Sequence, residues 1–401
     1  MHPLVKPALR RGWRDLNTVQ FGMTPAHAMT LGPMDTATGS FLDLLNGARG
    51  LELLREEGRR LDLPDGHVDV LVERLSRAGL VDDAQGGGPA ARALREKQGV
   101  LDRLRPDLAS LSLITPEPGG AIGRLAARRA LRVRVDGAGR VGVTLAALLS
   151  GAGVGEVDVR DVGRVQPWDV APGGLPAEAV GERRAEAARR VVRRAAPDRP
   201  PRRPDPAVEE PGLALVIIAP RDDVLVHAPD ARAAEPLMAS GTPHLYTGVV
   251  EGTGVVGPLV LPGGTGCARC LHEHRTDRDP AWPRLIAQWR SGQARRVGAC
   301  DLTLAAAVAG LAAAHALAFL DGESPAGTGA RWEASVPVLH WHARPVWPHP
   351  ACPCGAAEKA KGEHSSTNGD PHATMVVQRP SAERREHADA ARPTGTWRAH
   401  V

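Results

Sequence analysis

Residues 131–150 read Leu131-Arg-Val-Arg-Val-Asp136-Gly137-Ala-Gly139-Arg-Val-Gly142-Val-Thr-Leu-Ala-Ala-Leu-Leu-Ser150. Leu131–Asp136 alternates apolar and charged side chains, as a half-buried strand does, and Val143–Ser150 has the composition of a buried helix. Between them lie three glycines in the spacing G-x-G-x-x-G, and that context gives each a task. Gly137 permits a tight turn out of the strand. Gly139 leaves the backbone open to a phosphate, and Gly142 lets helix and strand approach closely. The helix that follows begins with unpaired N–H groups, which attract an anion. Gly137, Gly139 and Gly142 are therefore candidate cofactor-binding residues.

A second strand, Glu156–Arg160, ends at Asp161, the distance downstream at which an acid takes a ribose hydroxyl; a plain strand terminus reads the same way. Strand and helix patterns go on alternating to about residue 355. The expected fold class is α/β, a Rossmann-like domain with a mainly parallel sheet. Val133–Val165 resembles the ThiF/MoeB family, the ubiquitin-activating type of adenylyltransferase, most specifically in Ala152-Gly-Val-Gly-Glu-Val-Asp-Val-Arg-Asp161. Gly181-Glu-Arg-Arg-Ala185 is similar to the family's G-x-x-K-A helix start, with Arg184 in the lysine's place, and Leu215–Ala219 to the strand before its aspartate.

The resemblance implies a ThiF-type domain over about residues 126–356, and the family's activity is attack of a protein's C-terminal carboxylate on ATP. That chemistry needs phosphate clamps, a magnesium-binding acid and cations where charge develops. Here the family's Asn-Leu-x-Arg-Gln run is replaced by Trp168-Asp169-Val-Ala-Pro172, with Asp169 at the asparagine and Pro172 at the arginine. Arg221 falls at the metal-binding aspartate, although a shift of one residue would supply Asp222. Arg184 for lysine keeps charge and changes geometry. The expectation is a site with no assignable catalytic residue, and ATP with magnesium only under the alternative of an active adenylyltransferase for a small carrier protein.

Five cysteines in a chain with no signal-like N-terminus point to metal or burial rather than to a disulfide scaffold. Four form two short pairs, Cys267-Ala-Arg-Cys270 and Cys352-Pro-Cys354, each able to offer two thiolates to a tetrahedral ion. Zinc is the expected metal, bound by Cys267, Cys270, Cys352 and Cys354, and ThiF/MoeB-like proteins carry two such pairs at matching places. Cys300 is left over and reads as a buried thiol. His272, His274, His340, His342 and His349 lie near the pairs in sequence and are expected outside the ligand set.

Residues 1–83 read as a small winged-helix-like α+β domain. Thr18–Gly22 and Ala28–Leu31 suit a hairpin, and Ser40–Asn46, Leu51–Leu61 and His67–Ala78 suit helices. In the last, Val68, Leu71, Val72 and Leu75 make one apolar stripe, with Asp65 as N-cap and Gly79 after the end. Asp83–Pro89 reads as a flexible break, residues 84–125 as a connector with helix-forming runs from about 91, and 357–401 as a polar, disordered tail.

The 401 residues are 42% hydrophobic, and 50 Lys and Arg stand against 46 Asp and Glu, a net +4 that argues against a nucleic-acid partner. Arg183–Arg194 and Arg202–Arg203 read as a solvated helix face. Thr303–Leu320 barely reaches membrane-spanning length and, being alanine-rich, reads as a buried helix, so no membrane partner and a cytoplasmic location are expected. Pro3–Arg10, Leu44–Leu54 and Arg344–Cys354 resemble the partner protein of azole-forming peptide cyclodehydratases, whose leader-peptide recognition domain is joined to a degenerate ThiF-like domain. That resemblance implies a homodimeric scaffold that binds a ribosomal precursor's leader peptide and delivers it to a YcaO-type cyclodehydratase.

Overall fold

The computed structural model describes residues 1–198, 212–291 and 297–359. At its start β1 (Pro3–Val5) pairs antiparallel with β5 (Val81–Asp83), tying the two ends of the front unit together. Between them β2 (Arg11–Trp13), β3 (Val19–Phe21) and β4 (Met29–Leu31) form an antiparallel meander in that order. Val19 and Phe21 point inward from β3, and β3 with β4 is the hairpin read from the sequence. Three helices follow: α1 (Thr36–Leu42), α2 (Leu51–Arg60) and α3 (His67–Arg77).

α1 begins four residues before the expected Ser40, because the Asp35 carboxylate accepts from Thr38 N at 2.7 Å and caps the helix there. α3 buries the Val68, Leu71, Val72, Leu75 stripe as its spacing requires. Its N-cap is Gly66 in a left-handed conformation rather than Asp65, which is exposed. At the other end Leu80 N donates to Leu75 O and Gly79 N to Ser76 O, with Gly79 at φ 68°: a glycine-terminated helix.

Residues 84–125, expected as a connector with helix-forming runs, are helical. They fold into α4 (Gly88–Arg95), α5 (Gln98–Arg103), α6 (Arg105–Ile114) and α7 (Gly120–Arg128), packed around Leu94, Leu104, Leu111, Ile122 and Leu125. The glycines of the expected flexible break are a contact surface: a Cβ on Gly119 would lie 2.5 Å from Gly87 N, so only glycines let these two turns meet. Lys6 is 1% exposed and donates from Nζ to Thr115 O at 2.8 Å, where α6 ends. Burial lowers its pKa, opposed by Asp82 and Glu117.

The body then alternates: β6 (Arg132–Asp136), α8 (Arg140–Gly151), β7 (Glu156–Arg160), α9 (Arg184–Ala195), β8 (Leu215–Ile218), α10 (Asp223–His227), α11 (Glu235–Ala239) and β9 (His244–Val250). After these come β10 (Thr253–Val260), α12 (Ala268–Arg278), α13 (Trp282–Ser291), α14 (Leu302–Leu320), β11 (Ala330–Ser335) and β12 (His342–Pro345). The sheet order is β12-β11-β10-β9-β8-β6-β7. β7, β6, β8 and β9 run parallel, and the remaining strands continue the sheet antiparallel. The fold is the expected Rossmann-like α/β one.

β6 has its successor on one side and β8 on the other, so the chain reverses its direction of winding there. A crevice opens at the carboxyl ends of strands at such a point. α14 has a mean hydropathy of 1.9 and a length that would suit a membrane span, yet it lies along the sheet beside α8 with Leu304, Val308, Ala312 and Ala316 buried.

α10 and α13 pack together. There the His227 ring stands edge-on to Trp282 and Trp289, with centroids 5.6 and 6.0 Å away. Arg275 donates to His227 O at 2.7 Å, and Arg331 to Val226 O at 3.1 Å. Burial, then the positive charges of Arg275 and Arg331, push the His227 pKa down to about 4.

Arg202–Arg203 and residues 360–401 of the expected tail lie outside the described residues, while 357–359 continue a helical turn from Ala356.

Candidate functional site

The glycine loop joins β6 to α8 at this crevice. Gly137 has φ 122°, and a Cβ there would sit 1.9 Å from Ala219 O at the end of β8. A Cβ on Gly142 would sit 2.0 Å from Gly137 O. Both positions exclude every other residue, for the turn and the close packing that the motif assigns them. Gly139, the N-cap of α8, differs: its open face meets the Arg221 side chain, with a would-be Cβ 2.9 Å from Arg221 Cγ.

Asp161 and Arg184 are brought to the loop, as the sequence led one to expect. One Asp161 oxygen accepts from Ala138 N at 2.6 Å, the other from Arg184 Nε at 3.1 Å. Arg184 also donates to Val162 O at 2.5 Å and to Asp169 Oδ2 at 3.2 Å. The opposite oxygen of Asp169 receives both Nε and Nη2 of Arg221, at 3.1 and 2.6 Å. Asp169 Oδ2 takes Gln166 N as well, at 2.9 Å. Asp161, Arg184, Asp169 and Arg221 thus form an unbroken chain of ion pairs with zero net charge. Three of its side chains are nearly buried, and Arg221 is 31% exposed.

Outside this chain a cleft of roughly 800 Å³ is lined by Asp136, Asp158, Arg160, Val162, Arg189 and Leu225 among others. Asp222, the candidate substitute for the displaced acid, lines the cleft and caps α10 with one oxygen, Oδ1, which accepts from Val224 N and Leu225 N at 2.8 and 3.3 Å. Pro172 sits in a turn closed by Gly174 N to Ala171 O at 3.0 Å. In the sequence Asp169 and Arg221 stand out as two separate departures from the family pattern. The signal was there: one position gains a negative charge and the other a positive one, a compensated exchange that implies contact.

The second cluster lies at the start of α12. Cys267 and Cys270 come from the turn before that helix and its first turn, and Cys352 and Cys354 from the segment after β12. Sγ–Sγ separations are 3.8 Å (Cys267–Cys270), 3.7 Å (Cys267–Cys352) and 3.6 Å (Cys270–Cys354). These are far beyond a disulfide bond. A tetrahedron with metal–sulfur bonds of about 2.3 Å has edges of about 3.8 Å; three of the six edges match it and all four sulfurs lie within 4.8 Å of one another, a spacing that suits a zinc-sized site. Tyr246, Val260 and Ala268 pack around them and keep the thiols largely buried. The hydrogen bond from Cys267 draws the Cys270 thiol well below its usual range, as a group ready to be a thiolate.

The neighbouring histidines stay outside this set. His349 pairs with Asp277 at 2.9 Å, and His272 accepts from Trp282 Nε1 at 3.2 Å. His274 lies at 3.1 Å from Trp347 O, and His342 lies 3.9 Å from Glu333. Cys300 is partly buried just before α14, and burial raises its pKa.

The ThiF family model matches residues 113–355. No curated protein matches the sequence at a significant level. Among solved structures, that of E. coli MccB with AMPCPP and selenomethionine MccA is similar at TM-score 0.63 and 13% identity, covering 89% of this chain and 100% of that one. The microcin C7 biosynthetic enzyme MccB with N-formylated MccA gives 0.62 and 13%, covering 88% of this chain and 100% of the other. PaaA gives 0.60 and 16%, covering 86% and 100%. At these identities the likeness is one of fold, and it takes in the front unit as well as the body.

Proposed function

The chain belongs to the ThiF family, and from that premise we propose that it is a peptide-binding scaffold of a ribosomal-peptide modification system rather than an adenylating enzyme. In this reading the front unit, residues 1–83, holds the leader of a precursor peptide, and the body, residues 126–356, presents it to a YcaO-type cyclodehydratase that carries the ATP chemistry. The observation that carries it is the Asp169–Arg221 pair, which places a guanidinium where the resemblance calls for a magnesium-binding acid. Without that acid the charge developing on a transferred phosphate has no metal to meet it.

Support for a peptide partner comes from MccB, whose structures include complexes with MccA. In this chain, among the described residues, no further strand pairs with the outer edges of β2 and β4. An extended peptide could be added there as a strand, with backbone hydrogen bonds giving register and apolar side chains giving choice. The four thiolates hold zinc as a structural ion, and the protein works as a cytoplasmic homodimer.

A second reading, an active adenylyltransferase for a small carrier protein, is favoured by the intact glycine loop and the open outer cleft. Fluorescence polarisation with a labelled leader peptide, encoded beside the gene for this chain, tests the scaffold. Saturable binding to the full chain is expected, and its absence overturns the reading. ATP–pyrophosphate exchange by the purified chain would establish the enzyme instead.

A further inference from the structure

The cleft at the glycine loop has the position of a nucleotide site, yet three of the groups that would greet a phosphate are engaged. Ala138 N, an N–H of the loop itself, is bonded to Asp161. The guanidinium of Arg184 is divided among Asp161, Val162 O and Asp169. The open face of Gly139 is covered by the aliphatic part of Arg221, with Cγ, Cδ and Nε at 2.9, 3.5 and 3.7 Å from where its Cβ would be. Beyond that contact, two nitrogens of Arg221 close on one oxygen of Asp169.

We propose that Arg221 is a built-in plug: its side chain occupies the phosphate position of the glycine loop, and the cleft is permanently liganded by the protein's own charges. This rests on the scaffold reading and deepens it, because it says what fills the site of a family member that has no use for nucleotide. Two carboxylates and two guanidiniums already sum to zero, so an incoming polyphosphate finds no surplus positive charge in that chain of ion pairs. Displacing Arg221 would also leave the Asp169 carboxylate, 3% exposed, facing the phosphate with one oxygen unpaired. Like charges at that range disfavour the complex, and an ionised carboxylate left buried without its partner adds to the cost. The same contacts join the end of β7, the turn after it, α9 and the segment after β8. In a nucleotide-binding protein those elements could instead be joined by the ligand, whose binding stabilises the folded state by mass action.

The test measures binding of Mg-ATP and of inorganic tripolyphosphate to the full chain by calorimetry and thermal shift. Wild type is expected to bind neither and to show no shift. Arg221→Ala should melt several degrees lower and still bind poorly, because Asp169 is now unpaired. Asp169→Asn with Arg221→Ala should recover much of that stability and bind at least tenfold more tightly than wild type. Wild type binding Mg-ATP as tightly as the double variant overturns the plug, as does a double variant that binds no better than wild type. If the double variant does not fold, Arg221→Lys decides. It keeps the charge but loses the two-nitrogen fork, so binding tighter than wild type is expected and equal binding overturns the proposal. A wild-type chain that binds both leader and Mg-ATP refutes the plug alone, and one that binds neither refutes the scaffold alone.

Discussion

The glycine-loop cleft and the cysteine cluster each gather four ligand-bearing side chains from distant parts of the chain, and they resolve their charge in opposite ways. Asp161, Arg184, Asp169 and Arg221 alternate in sign and satisfy one another. Cys267, Cys270, Cys352 and Cys354 are alike, and four thiolates at 3.6–3.8 Å can coexist only around a cation. On the proposed reading the cleft is complete without a ligand, whereas the cluster, as four thiolates, needs a cation. Whether a preserved site needs its ligand can therefore be judged by summing the charges of its lining, even where the fold alone suggests that it does.

The largest effect should come from removing the metal. Chelation, or Cys352→Ala, is expected to cost about 5 kcal/mol or more, because metal binding at a structural site is coupled to folding. Metal analysis should give one zinc per chain in the wild type. A chain with no zinc and five freely titratable thiols would erase the contrast between the two sites.

Gly137→Ala comes next, at roughly 3–4 kcal/mol. A Cβ at 1.9 Å from the Ala219 carbonyl cannot be accommodated without moving β8, and φ 122° is strained for any other residue. Urea unfolding measures it. A loss below about 1 kcal/mol would mean that the loop is not the rigid element on which the cleft's closed charge chain depends.

These two predictions rest on motifs visible in the sequence, and the reason they were visible is local. Strand, glycine spacing and helix are contiguous in residues 131–150, and each cysteine pair is a short motif. What stayed hidden depends on partners distant in sequence. The glycines at 86–88 look like a hinge until Gly119 is seen against them. Residues 84–125 show helix-forming runs, but not the shared core that α4 to α7 build around Leu94, Leu104, Leu111, Ile122 and Leu125. Lys6 looks like a surface lysine, and its contact with Thr115 O, 109 residues away, and the charges of Asp82 and Glu117 account for its burial. Asp169 and Arg221, 52 residues apart, were legible as departures from a family pattern but not as a pair.

His227 offers a third way of settling surplus charge, and so sharpens the comparison. It lies among the positive charges of Arg275 and Arg331, and the fold keeps it neutral by lowering its pKa from 6.5 to about 4. Between those values the unfolded chain binds more protons than the folded one, so stability rises with pH across that window and the benefit is complete above pH 6.5. Acidification from pH 7 to below 4 should cost about 1–2 kcal/mol from this group, the shift being discounted for its partial exposure to solvent. His227→Gln should flatten that part of the stability–pH curve, measured by urea titration in matched buffers. An unchanged slope would show that the histidine ionises freely beside the arginines.

The smallest effect is expected at Gly139, and it separates the two views of the cleft most cleanly. In a working nucleotide site the middle glycine is the one at which a side chain would block the phosphate, so Gly139→Ala would abolish binding while leaving the fold alone. Here the space is taken already. A Cβ at position 139 meets Arg221 Cγ at 2.9 Å, so the stem of Arg221 must shift by a few tenths of an ångström while its head stays paired with Asp169. Gly139 also has an extended backbone, with φ −86°, which alanine adopts without strain. The remaining cost is that of alanine for glycine at an N-cap, about 1 kcal/mol or less. Gly139→Ala should therefore melt within a few degrees of wild type, retain zinc and leave leader binding unchanged. A loss as large as that of Gly137→Ala would mean that Arg221 is clamped too firmly to yield. Loss of a wild-type affinity for Mg-ATP would mean that the cleft had been open all along.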